Sequence, residues 1–591
     1  MSLFLLSICY YLIEKWQKLA TIILLMNKIY LFLLFLLYLI SPPLLFAEDH
    51  YTSREWLNLL YYEQSGSGYK SLAEEDGFFI TKQGKTNPKD EYEASLKLVL
   101  AQDLTFKTKF PLRYKYIVKQ HNLQYAPAVQ VPANINKVLI AYPNRYMNNP
   151  ASMFGHLFLV LETNKGILDS DILHYIADTA ADRSIGYMIK GLSGQYKGWF
   201  LREPYYKKIK GYNYVEDRDI IYYDLKLSKE QTENLQLHYI ELQNSFFYYY
   251  FLDKNCAFFI GKLLNIVLDS DIATKRSYII PSQIINDLFD VNLLENERLR
   301  VANTKVFNRL FTGLNDEQKR GLITLFHEKK ESIQADPDVL KAFIIISEYM
   351  ISNHSDLADN IRSNRITAYK KLKDLETSNI RQTDVKKESV NRIQSESIGL
   401  SRVFNNYYEI SFNPIYFSEY DHFNILEVIS VKGLGTKINL YPNGHPLYQL
   451  DLVDLNNIIQ SNDVLNSFSW KIKSSIFYKD SILTNQEVYY GFSWNVMNRG
   501  LLYSLVGLNY TNFDDISEIN LDSLKLLPTI QIGLNHNLTD NLKIIVSYEN
   551  KFQKDYITTG FIYKYNNLLN KLILINNKDH STVKLSFEYL L

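Results

Sequence analysis

From about residue 399 to the C-terminus the chain alternates apolar and polar side chains, and few folds accept that pattern over such a length. In "EVYYGFSWNVM", Val488, Tyr490, Phe492, Trp494 and Val496 share one face, and Glu487, Gly491, Ser493 and Asn495 share the other. "SFSWKIKSSIFYK" sets Phe468, Trp470, Ile472, Ile476 and Tyr478 against Ser469, Lys471, Lys473 and Ser475. The terminal "STVKLSFEYLL" sets Val583, Leu585, Phe587, Tyr589 and Leu591 against Lys584, Ser586 and Glu588. Successive side chains of a strand point to opposite faces, so each segment is a two-faced strand. Two-faced strands of about ten residues separated by turns are the signature of a transmembrane β-barrel. A soluble β-sandwich uses the same alternation, and the pattern alone leaves it open.

Twelve such segments can be marked, near 400–412, 423–431, 435–441, 446–455, 466–478, 487–496, 501–511, 524–536, 542–551, 556–565, 569–576 and 582–591. Single-chain bacterial barrels have even strand numbers and short periplasmic turns. With the last strand ending in the periplasm, "MNRG" and "NLTDN" become periplasmic turns and the longer "NFDDISEINLDS" falls outside. The connection "NNIIQSNDVL" breaks the asymmetry by being long on the inner side.

Lys plus Arg and Asp plus Glu both number 64. With no concentrated basic excess there is no nucleic-acid footprint. The 46 tyrosines, with abundant Asn, Lys and Ile, fit either a barrel or an AT-rich coding sequence. Residues 26–47, "MNKIYLFLLFLLYLISPPLLFA", place a Lys after a Met, then an apolar run, then Ala47 before polar "EDHYTSREW". This is expected to be a signal peptide cut after Ala47, with residues 1–25 an upstream extension. The rival is a retained anchor of nearly spanning length. Of the two cysteines, Cys9 lies before the cut, so Cys256 is left as a lone thiol.

Five regions are expected: 1–47 as above, a mostly helical 48–130, an α+β domain over 131–300, a helical region and linker over 301–398, and the barrel of about 12 strands over 399–591. "KVLIAY" and "FGHLFLVLE" read as buried strands, and "DRDIIYYDLKL" as another. Ser228 caps an amphipathic helix over 228–245, and "NCAFFIGKLLNIVL" is an apolar helix opening at Asn255. Residues 379–398 lack an apolar face and read as a linker.

Cys256 in the first helical turn gains from the helix dipole, which favours a thiolate, and unpaired N–H groups there would suit an oxyanion. A nucleophilic Cys needs a base. His156 is the candidate, following Gly155 at the head of an otherwise apolar strand, where a His persists only if its nitrogens are partnered. On the residues alone, Cys256 as a core filler and His156 as a structural residue remain open.

"PASMFGHLFLVLE", "KGLSGQYKGWFLREPYYKKIKGYNYVEDRDIIYYDLKL", "YYYFLDKNCAFFIGKLL" and "IIPSQII" resemble the Lnb N-terminal periplasmic domain family over roughly 110–300. The Asn–Cys element is also similar to permuted NlpC-type papain folds, in which His precedes Cys. The resemblance implies a papain-like cysteine acyltransferase that acylates the amine of lipoproteins from a phospholipid donor at the outer membrane. Cys256 would then be nucleophile and His156 base, with His174 on the next strand orienting it. Asn255, Lys190, Tyr196 and Tyr205 are expected to meet substrate; Gly191 and Tyr206 match family motifs without a role. Arg218 is read as a head-group contact or an ion pair with Glu216 or Asp217. No metal-binding or phosphate-loop motif calls for a cofactor, and oligomeric state is not readable. An NlpC-like peptidase or amidase acting on cell-wall peptides, and a non-enzymatic barrel protein, are the alternatives.

Overall fold

The computed structural model describes residues 50–591 except 148–151, 180–185, 244, 269, 273–275, 331, 333–335, 375–384, 388–391, 418–426, 443, 497–498, 513–524, 552–553 and 579. The expected signal peptide, most of "NFDDISEINLDS", half of "MNRG" and much of the expected linker lie outside the described residues.

An antiparallel sheet organises the N-terminal half. Its strands are β1 (Ile135–Pro143), β2 (Phe158–Thr163), β3 (Gly166–Asp178), β4 (Tyr196–Pro204), β5 (Ile220–Leu225), β6 (Phe246–Tyr249), β7 (Leu294–Arg300) and β8 (Val385–Lys387), in the order β8-β7-β5-β1-β2-β3-β4-β6. The central strands are apolar at consecutive positions because both faces are covered. Val138, Ile140, Leu157 and Leu159 enter one core; Leu139, Ala141, Phe158 and Val160 enter the other.

Helices α1 (Pro88–Leu100), α2 (Pro111–Gln120), α3 (Lys229–Leu242), α4 (Cys256–Val267) and α5 (Pro281–Asp290) contribute to the first core. The second is covered by a short helix, Tyr205–Ile209, which widens into a π-helical turn over Lys210–Val215. Ser228 and Gln231 form the capping box that starts α3. Arg113 of α2 is fully buried, 3.4 Å from Glu241 and 3.7 Å from Glu91. Glu241 Oε1 also accepts the N–H groups of Leu112 and Arg113 at 2.8 Å each. A carboxylate from α3 thus caps α2 and ties the helical region to the sheet.

Helices α6 (Asn303–Gly313), α7 (Asp316–His327), α8 (Pro337–Asn353) and α9 (Ala358–Asp374) pack around their own apolar cluster. Part of the expected linker is tied down: β8 pairs with β7, and Ile393 exchanges both backbone groups with the Asn286 amide.

The barrel strands are β9 (Ser397–Val403), β10 (Tyr407–Asn413, continued past Pro414 as Ile415–Phe417), β11 (Glu427–Leu440), β12 (Leu447–Ile459), β13 (Ser469–Tyr478), β14 (Ile482–Val496), β15 (Gly500–Thr511), β16 (Lys525–Asn537), β17 (Leu542–Lys551), β18 (Lys554–Tyr565), β19 (Leu568–Asn576) and β20 (Ser581–Leu590). Each pairs antiparallel with the next, and β20 pairs with β9 from Lys584–Val403 to Leu590–Ser397, so the twelve strands close.

Twelve is the number read from the sequence, but two boundary errors cancel within it. "VFNNYYE" is a hairpin between β9 and β10, turned by Asn405 at φ 62°, where one strand was expected. "SVKGLGT" is a single strand, β11, that runs in unbroken register past Leu434 (φ 54°), where a break was expected. The glycines flanking Leu434 read locally as a turn, and only pairing with the neighbouring strands carries the chain through them as one strand.

The wall is inverted relative to a soluble protein. Ile398, Leu400, Tyr490, Val506, Leu508, Phe561 and Phe587 are exposed, whereas Ser401, Glu487, Asn509, Lys571 and Glu588 are buried. Inside, Lys584 pairs with Glu409 at 2.8 Å, Lys437 with Asp451 at 3.0 Å, and Lys571 with Glu588. A β-sandwich would bury the other set; this wall faces hydrocarbon. The long 460–468 connection has a purpose: Val464 and Leu465 enter the α6–α9 cluster, and Asn462 donates to Asn308 at 2.7 Å. If Val506, midway along β15 and 61% exposed, faces lipid, Val506→Lys will destabilise the barrel by about 2–4 kcal/mol in refolding into vesicles. A soluble barrel would be indifferent to that change.

Candidate active site

Asn255 fixes the start of α4 with all four of its amide positions. Its Oδ1 accepts from Ala257 N–H at 3.0 Å and Phe258 N–H at 3.2 Å; its Nδ2 donates to Ile279 O at 2.6 Å and Phe251 O at 3.2 Å. Asn255 is therefore a positioning residue, not the substrate contact expected. The same bonds correct a second expectation. The N–H groups of Ala257 and Phe258 are taken by the cap, so the first turn of α4 is not an open oxyanion hole. Only the Cys256 N–H is lightly held, by Tyr249 Oη at 3.3 Å.

Cys256 follows the cap and is 4% exposed. The Leu157 N–H and the Tyr249 hydroxyl act on its sulfur in favour of the thiolate. Burial pushes the thiol up; the Leu157, Tyr249 and Ala257 donors oppose this. Tyr249 is held flat against Tyr175 (5.6 Å, 8°), which packs on Phe259 of α4.

His156 precedes the residue whose N–H meets the sulfur. Gly155 makes this approach possible: it sits at φ +91°, and a Cβ there would lie 2.5 Å from the Tyr142 ring. His156 Nε2 is buried without a hydrogen-bond partner among the described residues, so this nitrogen does not bond the thiol in this geometry. Apo sites often tighten only when substrate binds. The His156 ring lies edge-on to His174 at 6.5 Å and 5.9 Å from Tyr212. His174 pairs across the sheet with Phe158, which places it on the face covered by Tyr205–Ile209, opposite α4. The thiol and the two imidazoles therefore meet around the head of β2 rather than on one face.

Burial holds His156 well below its ordinary value, reinforced by His174, Arg218 and Lys208. Burial, with Lys208, lowers His174 to about 3. Both imidazoles are neutral at neutral pH. Neither His174 nitrogen makes a hydrogen bond to a described residue; Glu203 Oε1 is 3.6 Å from Nε2, and Lys208 is 3.7 Å from Glu203. The structure thus brings His174 beside His156 without a hydrogen-bonded relay.

The remaining expected contacts separate. Lys190 is exposed on the helix Gly186–Leu192. Gly191 lets that helix touch Phe251, whose ring a Cβ would meet at 2.3 Å. Tyr196 is buried, stacked on Phe251 at 6.3 Å. Tyr205 is a core residue whose hydroxyl meets that of Tyr222 at 2.6 Å, while Tyr206 is exposed. Arg218 pairs with Glu216 at 2.9 Å, as one reading held; Asp217 instead bonds Thr304. Tyr249, Tyr212 and the Leu157 amide were missed. Tyr249 hid within "FFYYYF", and a backbone donor has no sequence signal.

With no plateau from an imidazolium pair, alkylation of Cys256 by iodoacetamide should climb about tenfold per pH unit through neutrality. A rate that levels off below pH 7 would reveal a preformed thiolate. Asn255→Ala, which orphans two carbonyls and two N–H groups, should lower stability by about 2 kcal/mol, read as a fall in the unfolding temperature of the α+β domain.

Residues 125–291 match the family model of the Lnb N-terminal periplasmic domain, and residues 49–120 match that of a domain of unknown function, DUF7843. No curated protein matches the chain. Among solved structures it is similar to the KdgM porin in complex with disordered oligogalacturonate, at 12% identity and TM-score 0.21 over 33% of this chain and 98% of that one. It is also similar to the NanC porin, at 8% identity and TM-score 0.23 over 33% and 99%. The outer membrane protein Omp33 of Acinetobacter baumannii matches at 7% identity and TM-score 0.23 over 34% and 98%. The periplasmic-domain match and the closed, apolar-walled barrel together make this an outer-membrane protein whose α+β domain stands on the periplasmic side.

Proposed function

We propose that the chain is a cysteine-dependent acyltransferase that moves an acyl chain from phospholipid to the N-terminal amine of lipoproteins through a Cys256 thioester, on a papain-like domain. The observation that carries this reading is the thiol itself: buried at a capped helix start, with the Leu157 N–H and the Tyr249 hydroxyl acting on it and the neutral His156 one residue before Leu157 in the chain.

His156 takes the thiol proton as sulfur attacks the ester carbonyl. Tyr249 O–H and the lightly held Cys256 N–H stabilise the oxyanion. The glycerol oxygen leaves as a lysolipid, receiving the proton from His156. The lipoprotein amine then attacks the thioester, His156 accepts its proton, and the amide leaves as the thiol re-forms. His174 stands beside His156 as a neutral neighbour that can orient the ring once substrate closes the gap. The outer-membrane anchor keeps this chemistry where both lipid substrates reside. The lumen supports an anchoring role over conduction, since Tyr489, Tyr503, Leu505 and Val428 from β14, β15 and β11 form one buried cluster.

Purified protein in detergent with phospholipid and a diacylated lipopeptide should gain one acyl mass on Cys256 and pass it to the lipopeptide amine. Cys256→Ala should do neither. Cleavage of cell-wall peptides without acyl mass on Cys256 would favour a peptidase, and no acyl adduct under any condition would overturn the reading.

A further inference from the structure

Arg218 is a buried cation that the mechanism above leaves without a task. It is 1% exposed, and its guanidinium lies 5.1 Å from both the Tyr146 and Tyr212 rings. Glu216 Oε2 stands 2.9 Å from Nε. Nη1 and Nη2 have no hydrogen-bond partner among the described residues.

The neighbouring carboxylates are committed elsewhere. Asp217 bonds Thr304; Asp219 accepts from Ala302 N–H and pairs with Lys305 at 2.7 Å; Glu203 faces His174 and Lys208. A fully buried guanidinium edge with nothing to donate to is costly, and native structures keep such edges for a ligand or a strained state. The location favours a ligand. Tyr212, whose face Arg218 touches, lies 5.9 Å from the His156 ring and stacks on Phe158. Arg218 N–H donates to Tyr212 O at 2.9 Å, which locks that ring and the cation together.

The planar fork of a guanidinium fits an oxyanion with two parallel acceptors. We infer that the Nη1–Nη2 edge of Arg218 binds the phosphodiester of the phospholipid donor and so seats its ester carbonyl at Cys256. This rests on the acyltransferase reading and gives the donor its recognised group. It also gives Arg218 a second effect. Its charge is among those that keep His156 neutral, and a bound phosphate offsets that charge when the base has to accept a proton.

The test compares full-length wild type with Arg218→Gln and Arg218→Lys on two donors: a diacyl phospholipid, and a neutral p-nitrophenyl ester of the same acyl length. Arg218→Gln should raise KM for the phospholipid about tenfold to a hundredfold, leave acylation of Cys256 by the neutral ester within about threefold, and be partly rescued by Arg218→Lys. Equal losses on both donors would reduce Arg218 to a structural residue, and no loss on either would overturn the site. A second measurement separates this inference from its parent: protection of Cys256 from iodoacetamide by a non-hydrolysable short-chain diether phospholipid. Protection in wild type but not in Arg218→Gln, with no acyl transfer from any phospholipid, would keep the anion site and discard the acyltransferase. Transfer in wild type with equal protection in both would do the reverse.

Discussion

Hydrocarbon offers a backbone amide no partner, so the barrel has to close, and closure dictates much of what lies outside it. The seam between β9 and β20 returns the C-terminus to the side from which the chain entered: Leu591 N–H donates to Glu396 O, and Ser395 N–H donates to Leu591 O. The α+β domain is thereby fixed to the rim where β9 begins. Further contacts hold it there. Tyr278 donates to Pro414 O at 2.6 Å, the carbonyl at the break in β10. Half-buried Lys305 bridges Asp219 and Glu427 of β11. Arg145 lies 3.3 Å above the Phe417 ring, and Met147 is buried with Phe417, Val431 and Leu455. The segments that lead into His156 and Arg218 are thus braced by the barrel as well as by the sheet.

The site inherits that bracing at the head of β2. A thiol buried in an apolar setting resists ionisation, and here the donors that oppose burial come from three separate elements: the Leu157 amide at the head of β2, Tyr249 on β6, and the Ala257 amide in α4. Asn255 engages the Ala257 and Phe258 N–H groups of the first turn, so α4 adds only the shared Ala257 N–H to the donors from β2 and β6. The cap that positions the nucleophile therefore removes the oxyanion donors that a helix start would otherwise provide, and the neighbouring tyrosine is left to replace them.

This explains which parts were legible beforehand. The barrel was readable because alternation over many strands reports which face meets lipid, and that survives mistakes in single boundaries. The hairpin at Asn405 and the unbroken strand through Leu434 were misread because local turn signals do not disclose whether a partner strand continues across them. Capped helices such as α3 and α4 were readable because a cap acts within three or four residues. The inner docking of 460–468 was visible only as an anomaly of length, since its partners on α6–α9 lie far away in sequence. For the site, Cys256 and His156 stood out as polar groups in apolar runs. Asn255, Tyr196 and Tyr205 were assigned to substrate, yet Asn255 is spent on the cap that was itself legible, and the two tyrosines are spent on packing, which no spacing discloses. Tyr249 and the Leu157 amide depend on the approach of β6 and β2 to α4, a tertiary fact.

Under the acyltransferase reading, the burial of Cys256 answers a problem that composition cannot. A thioester in the periplasm is exposed to water at far higher concentration than any lipoprotein amine, so hydrolysis wins unless water is kept from the carbonyl. A thiol only 4% exposed, walled by Tyr249, Tyr175, Phe258 and Phe259, is placed to exclude it. The same burial raises the thiol and suppresses the imidazolium, so the resting pair is inert. An inert, dry resting site suits a transferase better than a hydrolase, because the reaction begins only when a substrate brings both the acyl group and an acceptor for the unpartnered Nη1–Nη2 edge of Arg218.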